Sequence, residues 1–149
     1  MTDAEFLAAF EGGRIAPGDF HHRDHVRLAW ACLRREALVP GIARFVVALK
    51  RFAAAAGKPT LYHETVTLAY LLLIHDRMSS EAPPGDFESF AARNEDLFAR
   101  DPWILDRYYQ AETLRSERAR TSFVWPDRAS AVTPRGDGTD TGTSTASAR

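Results

Sequence analysis

One cysteine, Cys32, stands in 149 residues, so no intramolecular disulfide can form and packing and hydrogen bonds must hold the fold. That usage suits a reducing cytoplasm. An excess of either charge is also lacking. Nineteen Lys and Arg stand against 20 Asp and Glu, a formal net charge of -1, so no general basic field draws nucleic acid or an acidic lipid surface. Long apolar runs are missing as well. The longest, Val66 to Ile74, falls far short of the roughly 20 residues that a membrane-spanning helix needs. The opening Met1-Thr2-Asp3-Ala4-Glu5 is acidic and lacks the basic-then-apolar pattern of a signal peptide. The expectation is a soluble, cytoplasmic protein with no membrane or nucleic-acid partner. Alternating runs bounded by turn residues are absent too, so nothing predicts a sheet. There is no internal repeat.

What is present is the composition of an ordinary globular chain, 45% hydrophobic and 26% charged. The length predicts one domain. Apolar spacing predicts a short first helix over Asp3 to Phe10, stopped by Gly12-Gly13, and a second after Pro17-Gly18, capped by Asp19 and running to about Arg35. Pro40-Gly41 reads as a break. A third helix carries Ile42, Phe45, Val46, Leu49 and Phe52 and ends near Gly57. The fourth, Leu61 to Ser79 with Thr60 as cap, is apolar on most of its circumference and reads as central. A fifth spans about Phe87 to Phe98, and Asp101-Pro102 opens a last ordered stretch through Phe123. The fold class is therefore all-α, a single helical-bundle-like domain over 1–128. Residues 129–149 are rich in Thr, Ser, Gly, Asp and Ala and cannot bury enough surface to offset ordering entropy, so a disordered tail is expected there. Its Arg135-Gly136-Asp137 reads as chance in a low-complexity segment.

The chemistry-bearing stretch is Phe20-His21-His22-Arg23-Asp24-His25-Val26. His22, His25, Val26, Ala29, Trp30 and Leu33 recur at helical spacing, so two imidazoles share the inward stripe one turn apart. His63 opens the fourth helix. In an up-down bundle, the starts of the second and fourth helices lie at one end, which brings His22, His25 and His63 together. The positive helix ends disfavour imidazolium, and neutral imidazole is the form that binds a metal. Three such ligands with an open position describe a zinc, iron or copper site of a metal-dependent enzyme acting on a small molecule, by hydrolytic, lyase or oxygen chemistry. Two other readings stay open: a metal-free site that binds a small ligand, and structural histidines bonded to carbonyls and to Tyr62, Thr65 or Thr67.

Around that centre, Glu64 is an acid/base candidate and Tyr108 a proton donor. Arg107 is a candidate to hold an anionic group bidentately, with Trp30, Tyr62 and Thr67 as further substrate contacts. The competing reading makes Arg107 a partner of a local acid and the tyrosines a cover for the bundle end. His75-Asp76, with an earlier histidine at His25, is similar to the pattern of HD-domain metal phosphohydrolases and gives a further functional alternative, a phosphohydrolase site separate from His63, which stands about 18 Å away along the helix. Trp30, Trp103 and Trp125 read as core or lid rather than as a base-stacking platform, since no basic groove accompanies them.

Four motifs in order, Phe20-x-His22-x-x-His25-Val26-x-x-Ala29-Trp30, Tyr62-His63-Glu64-Thr65-x-Thr67, Arg107-Tyr108-Tyr109 and Ala119-Arg120-x-x-Phe123-Val124-x-Pro126-Asp127, resemble an uncharacterised family of small helical proteins. The resemblance spans roughly Asp19 to Asp127 and implies one coherent domain with a polar site, without implying a reaction. Gln110 stands where that family often carries serine.

Overall fold

Seven α-helices and the turns between them form the computed structural model of the chain, which describes residues 1–128. The expected tail and its Arg135-Gly136-Asp137 lie outside the described residues. Among those residues there is no strand, only an isolated bridge pairing Arg100 with Trp103 across the Asp101-Pro102 turn. No helix among them is long and apolar enough to cross a membrane.

The first helix, α1 (Asp3–Glu11), starts on a reciprocal cap. The Glu5 amide donates to Thr2 Oγ1 (3.2 Å), and the Thr2 amide donates to the Glu5 carboxylate (2.7 Å). It lays Phe6, Leu7 and Phe10 on α2 (His22–Arg35). Asp19 does not cap α2; it closes a 3₁₀ turn, Pro17–Asp19, and His21 takes the cap position, its amide donating to Asp24 (2.9 Å).

The connection to α3 (Leu38–Ala55) is short, and Pro40-Gly41 lies inside that helix instead of breaking it. A first-turn proline lacks only an N–H that has no helical acceptor anyway. Gly41 is there for room: a Cβ would sit 3.2 Å from Leu33 Cδ2 and 3.3 Å from the Cys32 carbonyl, so α2 and α3 cross closely at this point. A 3₁₀ turn, Pro59–Leu61, leads to α4 (Glu64–Ser79), whose cap is His63 and not Thr60. The next helix, α5 (Phe87–Arg93), stops five residues early because Asn94 leaves helical geometry and a 3₁₀ turn, Glu95–Leu97, follows.

The central helix is α2. Val26, Leu28, Ala29, Trp30, Ala31, Cys32 and Leu33 are all buried, because α1, α3 and α4 cover it from different sides. By contrast α4, the more apolar sequence, leaves Leu72 exposed. Short α6 (Ala111–Arg115) and α7 (Glu117–Thr121) fold back over α4 and carry the C-terminal strand of irregular chain with them.

That cover is pinned by motif residues. The buried Thr65 hydroxyl donates to the Ser122 carbonyl (2.7 Å) and accepts from the Val124 amide (3.1 Å). The Tyr109 hydroxyl donates to the Val124 carbonyl (2.8 Å). Asp127 accepts from the Gln110 amide (2.9 Å) and the Thr113 hydroxyl.

Candidate functional site

Between α2, α3, α4 and the loop after α5 lies a cavity of about 880 Å³, within the size range of small-molecule sites. Its floor is apolar: Val26 and Ala29 from α2, Phe45 and Leu49 from α3, Leu71 and Ile74 from α4. Phe20, Phe52, Tyr62, Tyr70 and Trp103 add aromatic walls. The polar groups are His22, His25, Tyr62, His63, Thr67 and Tyr70, and the exposed Lys58, Arg100 and Asp106 lie at its edge.

The three predicted histidines all line this cavity, yet they are in different chemical situations. His63 is the cap of α4. Its Nδ1 accepts from the Val66 amide (3.1 Å), which requires the proton on Nε2, and that N–H donates to the Leu114 carbonyl (2.7 Å). Both ring nitrogens are therefore used. His22 donates from Nε2 to the Leu97 carbonyl (2.9 Å), which leaves Nδ1 as an acceptor, and its ring meets the edge of Tyr70. His25 makes no hydrogen bond to protein among the described residues; its ring packs on Phe20 with centroids 4.3 Å apart and faces the cavity.

Burial sets the charge state of the pair on α2. It lowers His25 from 6.5 to about 4, helped by His22 and Arg100. Burial also lowers His22, against the opposing effect of its bond to Leu97. Burial and the bond to Glu64 push the Tyr62 phenol up, and burial raises Tyr70. At neutral pH the cavity thus presents the uncharged imidazoles of His22 and His25 and the phenols of Tyr62 and Tyr70. The Trp103 indole N–H donates to the Tyr70 oxygen (2.6 Å), so the Tyr70 proton is left for another acceptor.

The three rings differ in what they could offer a metal ion. A first-shell imidazole needs a free lone pair, and His63 has none without breaking its cap or its bond to Leu114. Among the described residues no group of three His, Cys, Asp or Glu side chains is disposed to hold a metal ion.

Of the other candidates, Tyr62 and Thr67 line the cavity, and Glu64 stands behind Tyr62, accepting its hydroxyl proton (3.0 Å). Trp30 lies instead in the core against Phe87 and Phe90. Arg107 is turned to Asp96 (2.9 Å), which Arg77 also holds with two bonds (3.1 and 2.9 Å). The backbone carbonyl of Tyr108 accepts from the Asp127 and Arg128 amides (3.1 Å each), and its side chain packs against the core away from the cavity lining. His75 and Asp76 sit on the outer end of α4, outside the cavity, where the Ser79 hydroxyl donates to the His75 carbonyl (2.7 Å).

Tyr70, Arg100 and Asp106 were not anticipated. Tyr70 was within reach, since Thr67, Tyr70, Leu71 and Ile74 repeat at i, i+3, i+4 and i+7 and form the cavity face of α4. Arg100 and Asp106 come from irregular chain, where no periodicity marks a direction.

Fold and cavity together define an all-α domain with an aromatic-walled cavity. No protein-family model matches the chain, and no curated protein or solved structure is similar to it.

Proposed function

We propose that this protein binds a small organic molecule in the cavity between α2, α3 and α4, through apolar contact and hydrogen bonds to neutral side chains, with no metal among the binding groups. One observation carries the reading: His25 is a half-buried imidazole, held neutral, that lines a cavity of about 880 Å³ and makes no hydrogen bond to protein among the described residues. The other two histidines of the cavity donate to carbonyls, His22 to Leu97 and His63 to Leu114, so His25 is the one whose nitrogens are both open to the cavity. A neutral imidazole offers one donor and one acceptor, the Tyr70 hydroxyl a further donor, and the aromatic walls a slot for a flat apolar body.

The test uses a neutral probe, 1-aminoanthracene, whose emission shifts and brightens in an apolar site. Saturable binding of one probe per chain is expected, and Val66→Trp or Ala53→Phe, which fill the cavity from α4 and α3, should each weaken it at least tenfold. Probe binding that is absent, or indifferent to both filled variants, overturns the reading. Metal content of protein purified without an affinity tag should lie well below one ion per chain. Near-stoichiometric zinc, iron or copper that disappears in both His25→Ala and His63→Ala would restore the metal-dependent enzyme in its place.

A further inference from the structure

We propose that the molecule taken up here is an aryl carboxylate, with Arg100 receiving its anionic head at the mouth of the cavity and the aromatic walls receiving its body. This rests on the reading of the cavity as a small-ligand site. Three features carry it. First, Arg100 is the arginine that lines the cavity, it is exposed, and its guanidinium makes no ion pair or hydrogen bond among the described residues, as at Arg14, Arg34, Arg35, Arg51, Arg115 and Arg118, whereas Arg23, Arg27, Arg44, Arg77, Arg93, Arg107 and Arg120 are each held by a carboxylate. A guanidinium free of a protein acid can meet a carboxylate with two parallel N–H donors.

Second, Arg100 stands close to the neutral donors. It lines the same cavity as His22, His25 and Tyr70, and its backbone bridges to Trp103, whose indole donates to Tyr70. A head group at Arg100 thus comes within the neighbourhood of an imidazole N–H and a phenol O–H, both suited to a carboxylate oxygen. Third, the lining opposite is aromatic rather than polar: Phe20, Phe45, Phe52 and Tyr62 suit a flat ring system better than a sugar or a polyamine. Asp106 and Lys58 share the edge with opposite charges, so the unpaired guanidinium decides the preferred sign of the head.

Three compounds with one body and different heads test this: 2-naphthoate, naphthalene-2-carboxamide and 2-naphthylmethylammonium, each measured by titration calorimetry at pH 7.5. The carboxylate should bind at least tenfold more tightly than the amide, and the ammonium most weakly. Arg100→Gln should bring the carboxylate-to-amide ratio close to one, and Arg100→Lys should keep part of it. Equal binding of acid and amide, preference for the ammonium, or a ratio unmoved in Arg100→Gln overturns the carboxylate assignment while the small-ligand reading stands. Binding of none of the three, with 1-aminoanthracene also unbound, removes both.

Discussion

His63 and His25 line one cavity and illustrate two ways a protein uses an imidazole. At His63 every hydrogen-bonding position is filled: the Val66 amide on one nitrogen, the Leu114 carbonyl on the other. That ring joins the start of α4 to the C-terminal cover, and Thr65, two residues on, does the same with a hydroxyl. At His25 nothing in the described protein answers either nitrogen, and burial depresses its basicity. A satisfied polar group contributes to stability; one whose nitrogens are open to a cavity is available to a ligand. The contrast predicts that damage on the α4 side appears as lost stability, and damage on the α2 side as lost binding.

The largest expected effect separates the two by pH. Because His25 is lowered from 6.5 to about 4 by burial, the unfolded chain takes up its proton first as the pH falls. Its contribution is complete above pH 6.5 and is lost as the pH drops through about 4. The shift corresponds to at most about 3.5 kcal/mol, at about 1.4 kcal/mol per unit. His22 acts in the same direction. Urea unfolding between pH 7 and 4 should show this loss, and His25→Gln should flatten it. An unchanged slope in that variant assigns the titration elsewhere. Asp96, held at about 2 by Arg77 and Arg107, titrates in a lower window, losing its contribution as the pH falls from 3.8 through about 2, so the two do not overlap.

On the other side of the comparison, Thr65→Val removes one hydroxyl and strands two backbone groups, the Ser122 carbonyl and the Val124 amide. A loss of about 2–3 kcal/mol is expected from denaturant midpoints at constant slope, since buried groups left unpaired cost more than the bond itself. Tyr109→Phe, which strands only the Val124 carbonyl, should cost about 1 kcal/mol. A larger effect in Tyr109→Phe than in Thr65→Val would mean that the cover is held from the turn before α6 rather than from α4.

The all-α class was legible because every long apolar pattern had the helical period and none alternated. The convergence of histidines was approached through topology: short connections put the starts of α2 and α4 on one side, and three histidines line one cavity. What spacing could not show was occupancy. Whether a ring nitrogen is free depends on which carbonyl comes back over it, and Leu97 and Leu114 return from 75 and 51 residues away. Nor did hydrophobicity reveal which helix is central, because burial depends on neighbours: α2 has them on three sides, while α4 keeps Leu72 in solvent despite its apolar sequence. Arg107 followed the same logic, its guanidinium being taken by Asp96, while Arg100, in a turn with no period, was left open.

The smallest stability effect belongs to the residue with the largest expected role. Replacing His25 by Gln at pH 7.5 removes no hydrogen bond to the described protein and keeps a donor and an acceptor in nearly the same place. What is lost is the ring's contact with Phe20, at 4.3 Å between centroids, so the change should stay within about 1 kcal/mol. His63→Gln, by contrast, gives up the ring geometry that spans the Val66 amide and the Leu114 carbonyl, and should cost about 1–2 kcal/mol. Unfolding of the two variants side by side at pH 7.5 decides the matter. If His25→Gln is the more damaging of the pair, its imidazole is a structural element of the core, and the division between a stabilising α4 side and a binding α2 side does not hold.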